Sequence, residues 1–382
     1  MKSLPISLGL LMILSLSALA AAQPSNRLAP QAGDFVARDF QFNTGDRLDV
    51  RIHYYTVGSP VKGPDGHVRN AVLILHGTGG SGESLLGPTF AGVLFCPGCL
   101  LDAGKYFIIS PDNVGHGHSS KPSDGLRMNF PKYEYHDMVK LQHALLTKGL
   151  GVDHLRVVMG TSMGCMHAWL WTEEYSSFVD AAMPLACLPV PIAGRNRMWR
   201  KMLIDGIRND PAWNNGNYTE QPRDGLRLAA DLLMLAGSAP LFDQSQASTR
   251  DAADALLDRR IDARTASLDA NDLLYQVDSS RTYDASLGLE KIRVPVMAVN
   301  SADDFINPPE LRILEREIKR VKHGCAVIVP ITSQTRGHGT HTIAAVWGAY
   351  LAELLRKSGG LAPATSWSGA AVNDGAQRTC SN

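Results

Sequence analysis

The chain has 382 residues, 45% of them apolar, so it is long enough to bury a large hydrophobic core. Its 37 Lys and Arg residues balance 37 Asp and Glu residues. A chain without net charge has no electrostatic basis for binding nucleic acid or an anionic membrane surface, and we expect neither partner.

Residues 1–22 have the order of regions that is typical of a secretory signal peptide. A short, weakly positive start is followed by an almost wholly apolar run from Leu4 to Leu16. Small residues then lead to Ala20 and Ala22, and we expect cleavage after one of them. The apolar run is shorter than a membrane-spanning helix. We therefore expect a periplasmic or secreted protein without stable membrane insertion after cleavage.

Export makes disulfide bonds possible, and the sequence contains six cysteines. Cys96 and Cys99 are close together, and we interpret them as a small loop disulfide or as two free thiols. A redox pair would need a strand before it and a helix after it, and a zinc site would need a second pair. Cys165 and Cys187 lie in apolar runs and are predicted to be core residues.

Strands and helices alternate along the first half of the chain. After an exposed lead-in at 31–34, residues 39–42 and 48–57 predict a hairpin at the edge of a sheet. Continuous apolar runs follow at 71–75, 106–109 and 155–159. Such runs are typical of parallel strands that are covered on both faces. Because a helical pattern at 133–150 lies between them, the sequence predicts an α/β fold with a mostly parallel central sheet and helices on both faces.

The alternation stops between residues 189 and 285, where the chain is helical, charged and rich in Trp, Asp and Arg. It resumes at 286–357 with further apolar strands and helices. We therefore predict a core formed by 31–188 and 286–357, with a helical cap inserted between its two parts. The tail 358–382 is rich in Gly, Ala, Ser and Thr, and we predict that it is disordered.

Gly160-Thr161-Ser162-Met163-Gly164 has the pattern Gly-x-Ser-x-Gly between a predicted strand and a predicted helix. A tight turn at this point strains the backbone of the serine, and the flanking glycines leave room for it. The hydroxyl then lies at the edge of the sheet beside a helix N-terminus. Ser162 is therefore the predicted nucleophile.

A serine hydroxyl is a poor nucleophile at neutral pH and needs an adjacent base. In folds that contain this turn, the acid follows the nucleophile along the chain and the histidine comes last. Asp304 follows the apolar strand 294–299, and His338 follows the strand 326–329. Both positions are at carboxyl ends of strands, where open α/β sheets place their sites.

Each of these two residues has a neighbour that competes for its role. The spacing Asp-x-Ile-x-Pro favours Asp304, and we expect Asp303 to be solvated or to cap a helix. The turn at Gly337 favours His338 over His341, which lies one helical turn further along. Asp304 and His338 are therefore the predicted acid and base.

The oxyanion that forms after serine attack needs preorganised hydrogen-bond donors. The predicted donors are the backbone N–H groups of Met163, after the nucleophile, and of Thr78, in the Gly-rich loop that follows the first buried strand. This loop lacks the patterns of nucleotide-binding loops, so no cofactor is expected. The pair His116 and His118 has no carboxylate partner at a suitable spacing, so no metal is expected either.

With these motifs the chain resembles the homoserine O-acetyltransferase branch of the α/β-hydrolase superfamily, from Asn70 to Leu355. The segments that carry the resemblance are 137–146 before the nucleophile, 160–168 around it, 196–200, 210–213 and 216–218 in the cap, and 304–309 around the acid. The resemblance implies the α/β-hydrolase fold and a triad of Ser162, Asp304 and His338. It also implies that Arg200 holds a substrate carboxylate.

The chain departs from that branch at two places. Gly339 stands where the acetyltransferases have an Asp that helps to hold the substrate amino group, and the loop at 76–80 reads His-Gly-Thr-Gly-Gly instead of His-Ala-Leu-Thr-Gly. Export would also separate the chain from acetyl-CoA.

We therefore expect a serine hydrolase that cleaves a small ester, lactone or related acyl substrate. The alternative is an O-acyltransferase that passes the acyl group to an alcohol. A binding protein that has lost its triad is a further alternative, but every catalytic position is filled. The sequence leaves the oligomeric state open, a homodimer included.

Overall fold

The computed structural model describes residues 29–359 and 375–381, so the predicted signal peptide at 1–22 lies outside the described residues. The strands of the described part are β1 Gln31–Gln41, β2 Arg47–Val57, β3 Ala71–Leu75, β4 Phe107–Pro111, β5 Val157–Thr161, β6 Ala182–Leu185, β7 Val296–Ser301, β8 Gly324–Val329 and β9 Gln377–Cys380. Its α-helices are α1 Ala91–Leu94, α2 Tyr135–Ala144, α3 Met163–Glu174, α4 Gly194–Asn209, α5 Arg223–Ala236, α6 Pro240–Gln246, α7 Arg250–Thr265, α8 Ala270–Asp278, α9 Ile313–Glu317 and α10 Ala344–Lys357.

These strands form one sheet in the order β1-β2-β4-β3-β5-β6-β7-β8-β9. Strands β3 to β8 pair in parallel, and β1, β2 and β9 are antiparallel to their neighbours. The predicted α/β fold with a mostly parallel sheet is confirmed. Strand β1 begins at Gln31, so the expected lead-in at 31–34 belongs to the edge hairpin. Most of its residues are exposed, which is why the lead-in shows no apolar pattern.

The two faces of the sheet are covered by different helices. In β3, Leu73 and Leu75 belong to a buried cluster with side chains of α2 and α3, whereas Val72 and Ile74 belong to a cluster with α1 and α10. Burial on both faces explains why continuous apolar runs mark these strands. Because the strands are parallel, their carboxyl ends meet at one edge, where open α/β sheets carry their sites.

Helices α4 to α8 lie between β6 and β7, in residues 189–285, which we call the cap. Trp199, Leu226 and Leu273 belong to an apolar cluster of the cap, and Phe305 from the loop after β7 packs against it. The cap is therefore in contact with the carboxyl edge of the sheet. No single helix of the described ranges is long and apolar enough to cross a membrane; α5 and α6 meet that test only as a pair, with a bend of 111° between them.

The predicted disorder of the tail 358–382 is wrong for residues 375–381. Strand β9 pairs with β8, and a disulfide joins Cys380 to Cys325. The edge of β8 offers unpaired backbone groups, and β9 satisfies them. The composition of the tail gives no sign of this pairing, because the partner strand is distant in sequence.

Two further disulfides join Cys96 to Cys99 and Cys165 to Cys187. The first corresponds to the loop disulfide that the sequence left open beside two free thiols. Cys165 and Cys187 are buried as predicted, but they are bonded to each other and are not simple core residues. Their bond ties α3, which begins after Ser162, to the chain that leaves β6 for the cap.

Candidate active site

Ser162 occupies a strained turn between β5 and α3. Its φ of 55° and ψ of −108° lie where L-residues are rarely found. The turn is fixed on one side by the Ser162 N–H, which donates to the Leu185 carbonyl at 2.9 Å. A side chain at Gly160 would collide with the backbone of Gly164, and one at Gly164 would collide with the backbone of Leu75. Both glycines are therefore required for the close packing of strand, turn and helix.

The structure brings Ser162, His338 and Asp304 together in one hydrogen-bonded chain. His338 Nε2 lies 2.8 Å from Ser162 Oγ, and His338 Nδ1 lies 2.9 Å from Asp304 Oδ2. The Asp304 side chain is fully buried, whereas Ser162 keeps part of its surface accessible. The loops after β5, β7 and β8 supply these residues, so three strand ends of the core form the arrangement.

Asp304 is held by its own loop as well as by His338. Its Oδ1 accepts hydrogen bonds from the N–H groups of Ile306 at 2.8 Å and Asn307 at 3.1 Å, and its Oδ2 accepts one from Asn307 Nδ2 at 3.0 Å. Burial alone would raise the pKa of Asp304, but the His338 charge and these hydrogen bonds outweigh it and hold the pKa below its usual value. An ionised Asp304 accepts the Nδ1–H of His338, which leaves Nε2 free to accept the Ser162 proton.

The sequence did not identify Asn307 as a functional residue. Its Nδ2 donates both to Asp304 and to the Ala186 carbonyl at 3.0 Å, so one amide links the acid to the end of β6. The only sign in the sequence was a polar residue between the apolar pair Phe305-Ile306 and the prolines Pro308 and Pro309.

The expectation that Asp303 is solvated or caps a helix is wrong. Its carboxylate accepts hydrogen bonds from the Ser301 hydroxyl, from Thr335 Oγ1 at 2.8 Å and from the Gly337 N–H at 3.1 Å. These bonds tie the end of β7 to the loop that carries His338. Asp303 therefore supports the position of His338 and does not contact it.

His341 is partly buried next to His338, with a distance of 5.1 Å between the ring centroids and an angle of 80° between the rings. Burial and the charge of His338 lower the pKa of His341 to about 3, so the His341 ring stays neutral. No contact joins His341 to Ser162 in the described part of the chain. Of the two histidines, only His338 is placed to act as a base towards Ser162.

The loop after β3 lies beside Ser162, as its predicted role requires. A Cβ on Gly77 would be 3.2 Å from Ser162 Cβ, so only glycine fits easily here. The Gly164 N–H donates to the His76 carbonyl at 3.0 Å and ties this loop to α3. Within the described residues, neither the Thr78 nor the Met163 N–H donates in a turn or loop hydrogen bond. Both groups are therefore available to a bound oxygen.

Arg200 of α4 is buried with 3% exposure and has no carboxylate partner among the described residues. Its Nε donates to Asn196 Oδ1 at 3.0 Å and its Nη1 to Ser280 Oγ at 3.3 Å. Burial lowers its pKa below the usual value. A buried guanidinium without an anion is costly, so its presence calls for a ligand or a compensating group.

Tyr135 and Thr78 face Arg200 from the core side. Burial raises the pKa of Tyr135, and the charge of Arg200 together with the side chains of Ser280 and Thr78 offsets part of that rise. These groups are close without forming hydrogen bonds of normal geometry: the Tyr135 and Thr78 hydroxyls are buried and have no partner among the described residues. The sequence did not predict Tyr135, because no spacing connects it to Thr78 or Arg200.

A cavity of about 1050 Å³ lies between the cap and the loops after β6 and β7. Its lining is mostly apolar and includes Met166, Leu188 and Phe305. It reaches Asp304 but not Ser162 or His338. The cavity therefore adjoins the acid without including the nucleophile or the base.

Residues 70–323 match the family model described as alpha/beta hydrolase fold. The chain belongs to this family. It is 28% identical over 282 residues to a probable acyltransferase of Methanothermobacter thermautotrophicus, which covers 73% of this chain and 85% of the relative. It is 30% identical over 285 residues to the homoserine O-acetyltransferase of Geotalea uraniireducens, which covers 63% of this chain and 74% of the relative.

Among solved structures, esterase E22 has the same fold, with a TM-score of 0.75 at 20% identity, over 86% of this chain and 100% of that one. The predicted place in the homoserine O-acetyltransferase-like branch of the α/β-hydrolase superfamily is confirmed. The protein is an enzyme of this superfamily. Its relatives include both acyltransferases and esterases, so family membership leaves the acyl acceptor open.

Proposed function

We propose that this protein is a serine esterase that hydrolyses a small acyl ester, lactone or related substrate through an acyl-enzyme on Ser162. The observation that carries the proposal is the distance of 2.8 Å between His338 Nε2 and an accessible Ser162 Oγ, with Asp304 bonded to the other ring nitrogen. A nucleophile, a base and an orienting acid in this geometry are the requirements for acyl transfer through serine.

In the first half of the reaction, Ser162 Oγ attacks the carbonyl carbon of the substrate while its proton moves to His338 Nε2. The oxyanion accepts hydrogen bonds from the backbone N–H groups of Thr78 and Met163. Ionised Asp304 stabilises the His338 imidazolium. When the tetrahedral intermediate collapses, the bond to the leaving alcohol breaks, and the alkoxide takes the proton from Nε2.

In the second half, water takes the place of the alcohol. His338 Nε2 accepts a proton from this water as its oxygen attacks the acyl carbon. The bond to Ser162 Oγ then breaks, Oγ regains its proton from Nε2, and the free acid leaves. No step requires a metal or a cofactor.

Hydrolysis is favoured over transfer by Gly339 and by the predicted export. Gly339 has no side chain that could hold an amino group of an acceptor beside His338, where the related acetyltransferases have an acid. The predicted signal peptide and the three disulfides of the described residues support a location outside the cytoplasm, where acyl-CoA is not expected.

O-acyl transfer to an alcohol is the second candidate, and Arg200 favours it. A carboxylate bound between Arg200, Tyr135 and Thr78 would satisfy the buried cation and both unpartnered hydroxyls at once. We therefore propose that the substrate carries a carboxylate, either on the ester that is cleaved or on an alcohol acceptor.

The Ser162 mechanism is tested with a fluorophosphonate probe on the mature protein. The parent protein should be labelled, and Ser162→Ala should be neither labelled nor active on para-nitrophenyl acetate. Labelling that persists in Ser162→Ala would contradict the proposal.

The choice between hydrolysis and transfer is tested by supplying hydroxy acids to the acetylated enzyme. Free acetate as the only product supports hydrolysis, whereas an acetylated hydroxy acid identifies a transferase. Neutral alcohols of similar size provide the control for a specific acceptor.

A further inference from the structure

A second arginine without an anionic partner among the described residues lies beside the Gly-rich loop that contains Thr78. Arg264 is at the end of α7, and its Nη2 lies 3.4 Å from the point that a Cβ on Gly79 would occupy. Gly79 directly follows Thr78, the proposed oxyanion donor. Arg260, one turn earlier, pairs with Asp243 at 2.8 Å, whereas Arg264 has no hydrogen-bond or ion-pair partner among the described residues.

The Arg264 side chain reaches over the Gly-rich loop at Gly79. The residue as a whole is exposed, yet burial lowers the pKa of its guanidinium below the usual value. Gln276 Oε1 lies 3.8 Å from the same Cβ point of Gly79, and Gln276 Nε2 is anchored to the Gly115 carbonyl at 2.8 Å. Arg264 Nη2 and Gln276 Oε1 therefore both lie within 4 Å of one point above Gly79, and apart from the chain neighbours of Gly79 no other atom of the described residues does, which leaves a gap above this glycine.

Gly79 keeps this gap free. Its φ of +70° disfavours any side chain, and a side chain would point at Arg264. Gly79 itself is exposed, so a bound molecule can reach the guanidinium over the loop. The planar fork of a guanidinium matches a carboxylate with two parallel hydrogen bonds, which no described residue supplies here.

We propose that Arg264 binds a carboxylate of the substrate across Gly79, next to the oxyanion position. This inference rests on the proposed esterase function. It adds a second subsite for an anionic group of the substrate, at the exposed residue Gly79. The subsite differs from that of Arg200, which is buried beside Tyr135, whereas Arg264 is exposed. A substrate that uses both arginines is a dicarboxylate ester.

The first test compares esters that differ only in a terminal methyl or carboxylate group. On the acyl side the pair is para-nitrophenyl butyrate and para-nitrophenyl hemisuccinate. On the alcohol side it is butyl acetate and the acetate ester of gamma-hydroxybutyrate. Arg264→Gln should lower kcat/KM for at least one anionic ester by about tenfold or more, and should change its neutral partner by less than about twofold.

Arg264→Lys keeps the charge and should retain part of the preference for the anionic ester. Arg259→Gln removes an exposed arginine from the same helix and should change neither member of a pair. The pair that responds shows whether the carboxylate lies on the acyl or the alcohol side. Equal changes in both members of each pair, or no change in either, would overturn the proposal.

The second test needs no turnover. In the Ser162→Ala background, calorimetry with monomethyl succinate and methyl butyrate compares an anionic with a neutral ligand. The protein with Arg264 should bind monomethyl succinate more tightly than methyl butyrate, and Arg264→Gln should reduce that preference. If Arg264→Gln leaves the affinities unchanged, or if neither protein binds monomethyl succinate, the Arg264 subsite is wrong. This result stands apart from any failure of the Ser162 mechanism, which the probe labelling detects.

Discussion

The two sides of Ser162 differ in how their buried polar groups are satisfied. On the side of His338, the Asp304 carboxylate accepts hydrogen bonds from His338 and from its own loop. On the side of the cap, Arg200 has no carboxylate partner, and the buried hydroxyls of Tyr135 and Thr78 have no partner among the described residues. The polar groups of the first side satisfy one another, whereas those of the second side would be satisfied by the substrate carboxylate that we propose.

This difference in hydrogen bonding indicates which part of the active site takes its geometry from the folded core. The catalytic side is formed by loops at neighbouring strand ends of one rigid sheet, so its geometry is set by folding. The other side lies where the cap meets the core, and unsatisfied groups there cost stability that a ligand can offset. We therefore assign the chemistry to the strand ends and the substrate preference to the cap, and four predictions test this division.

The largest expected effect is the difference in kcat between a substitution of Asp304 and the same substitution of Asp303. Asp304→Asn removes the charge that orients His338 and stabilises its imidazolium, so kcat should fall by about ten-thousandfold. Asp303→Asn only loosens the loop that carries His338, so kcat should fall by less than about a hundredfold. Steady-state kinetics with para-nitrophenyl acetate measures both. A larger loss in Asp303→Asn than in Asp304→Asn would reverse the assignment of the acid.

The next effect concerns the cap side. Arg200→Met should raise KM for the acetate ester of gamma-hydroxybutyrate by about tenfold to a hundredfold, because a bound carboxylate loses its guanidinium. The KM for butyl acetate should stay the same. Arg197→Met, an exposed arginine of the same helix, is the matched control. An unchanged KM for the anionic ester in Arg200→Met would remove the carboxylate from the proposed substrate.

A smaller effect is expected at Asn307, which holds Asp304 in place. Asn307→Ala should lower kcat by about tenfold, because Asp304 loses one of its hydrogen bonds and a link to β6. Glu310→Ala, an exposed change in the same segment, should leave kcat unaltered. Equal activity of Asn307→Ala and the parent protein would show that the remaining bonds suffice.

The pH dependence of stability gives a second readout for Asn307. The folded-state pKa of Asp304 is held below its unfolded value of about 3.9, so its ionisation stabilises the fold above that pH and this contribution is lost as the pH falls further. Asn307→Ala weakens the hydrogen bonding that lowers this pKa. The difference in unfolding free energy between variant and parent should therefore be constant near neutral pH and narrow below about pH 4. A difference that grows towards acid pH would contradict this account.

The smallest effect compares two buried tyrosines whose ring centroids are 5.8 Å apart. Tyr135→Phe removes a hydroxyl without a partner, so the unfolding free energy of the ligand-free protein should stay the same or rise by about 1 kcal/mol. Tyr283→Phe removes a hydroxyl that donates to the Leu188 carbonyl at 3.1 Å. This variant should lower the unfolding free energy by about 1 kcal/mol. Urea unfolding measures both. Equal losses in the two variants would mean that Tyr135 is satisfied without a ligand.

Much of the fold and of the catalytic side could be predicted because the signals are local. Continuous apolar runs marked the parallel strands, and the glycines around Ser162 marked a turn that few other residues permit. The order of Ser162, Asp304 and His338 followed from strand ends that alternate regularly along the chain. The choice of Asp304 over Asp303 also came from spacing, but the hydrogen bonds that give Asp303 its own task lie in another loop.

The sequence is therefore sufficient to predict the elements that a pattern in consecutive residues encodes. These are the parallel sheet, the turn at Ser162 and the helical segment between β6 and β7. The contacts between segments that are distant in sequence become known only from the three-dimensional structure. These are the pairing of β9 with β8, the bond between Cys165 and Cys187, the approach of Arg200 to Tyr135, and the approach of Arg264 to Gly79. Such contacts depend on how the cap and the tail pack against the core, and no local pattern encodes that packing.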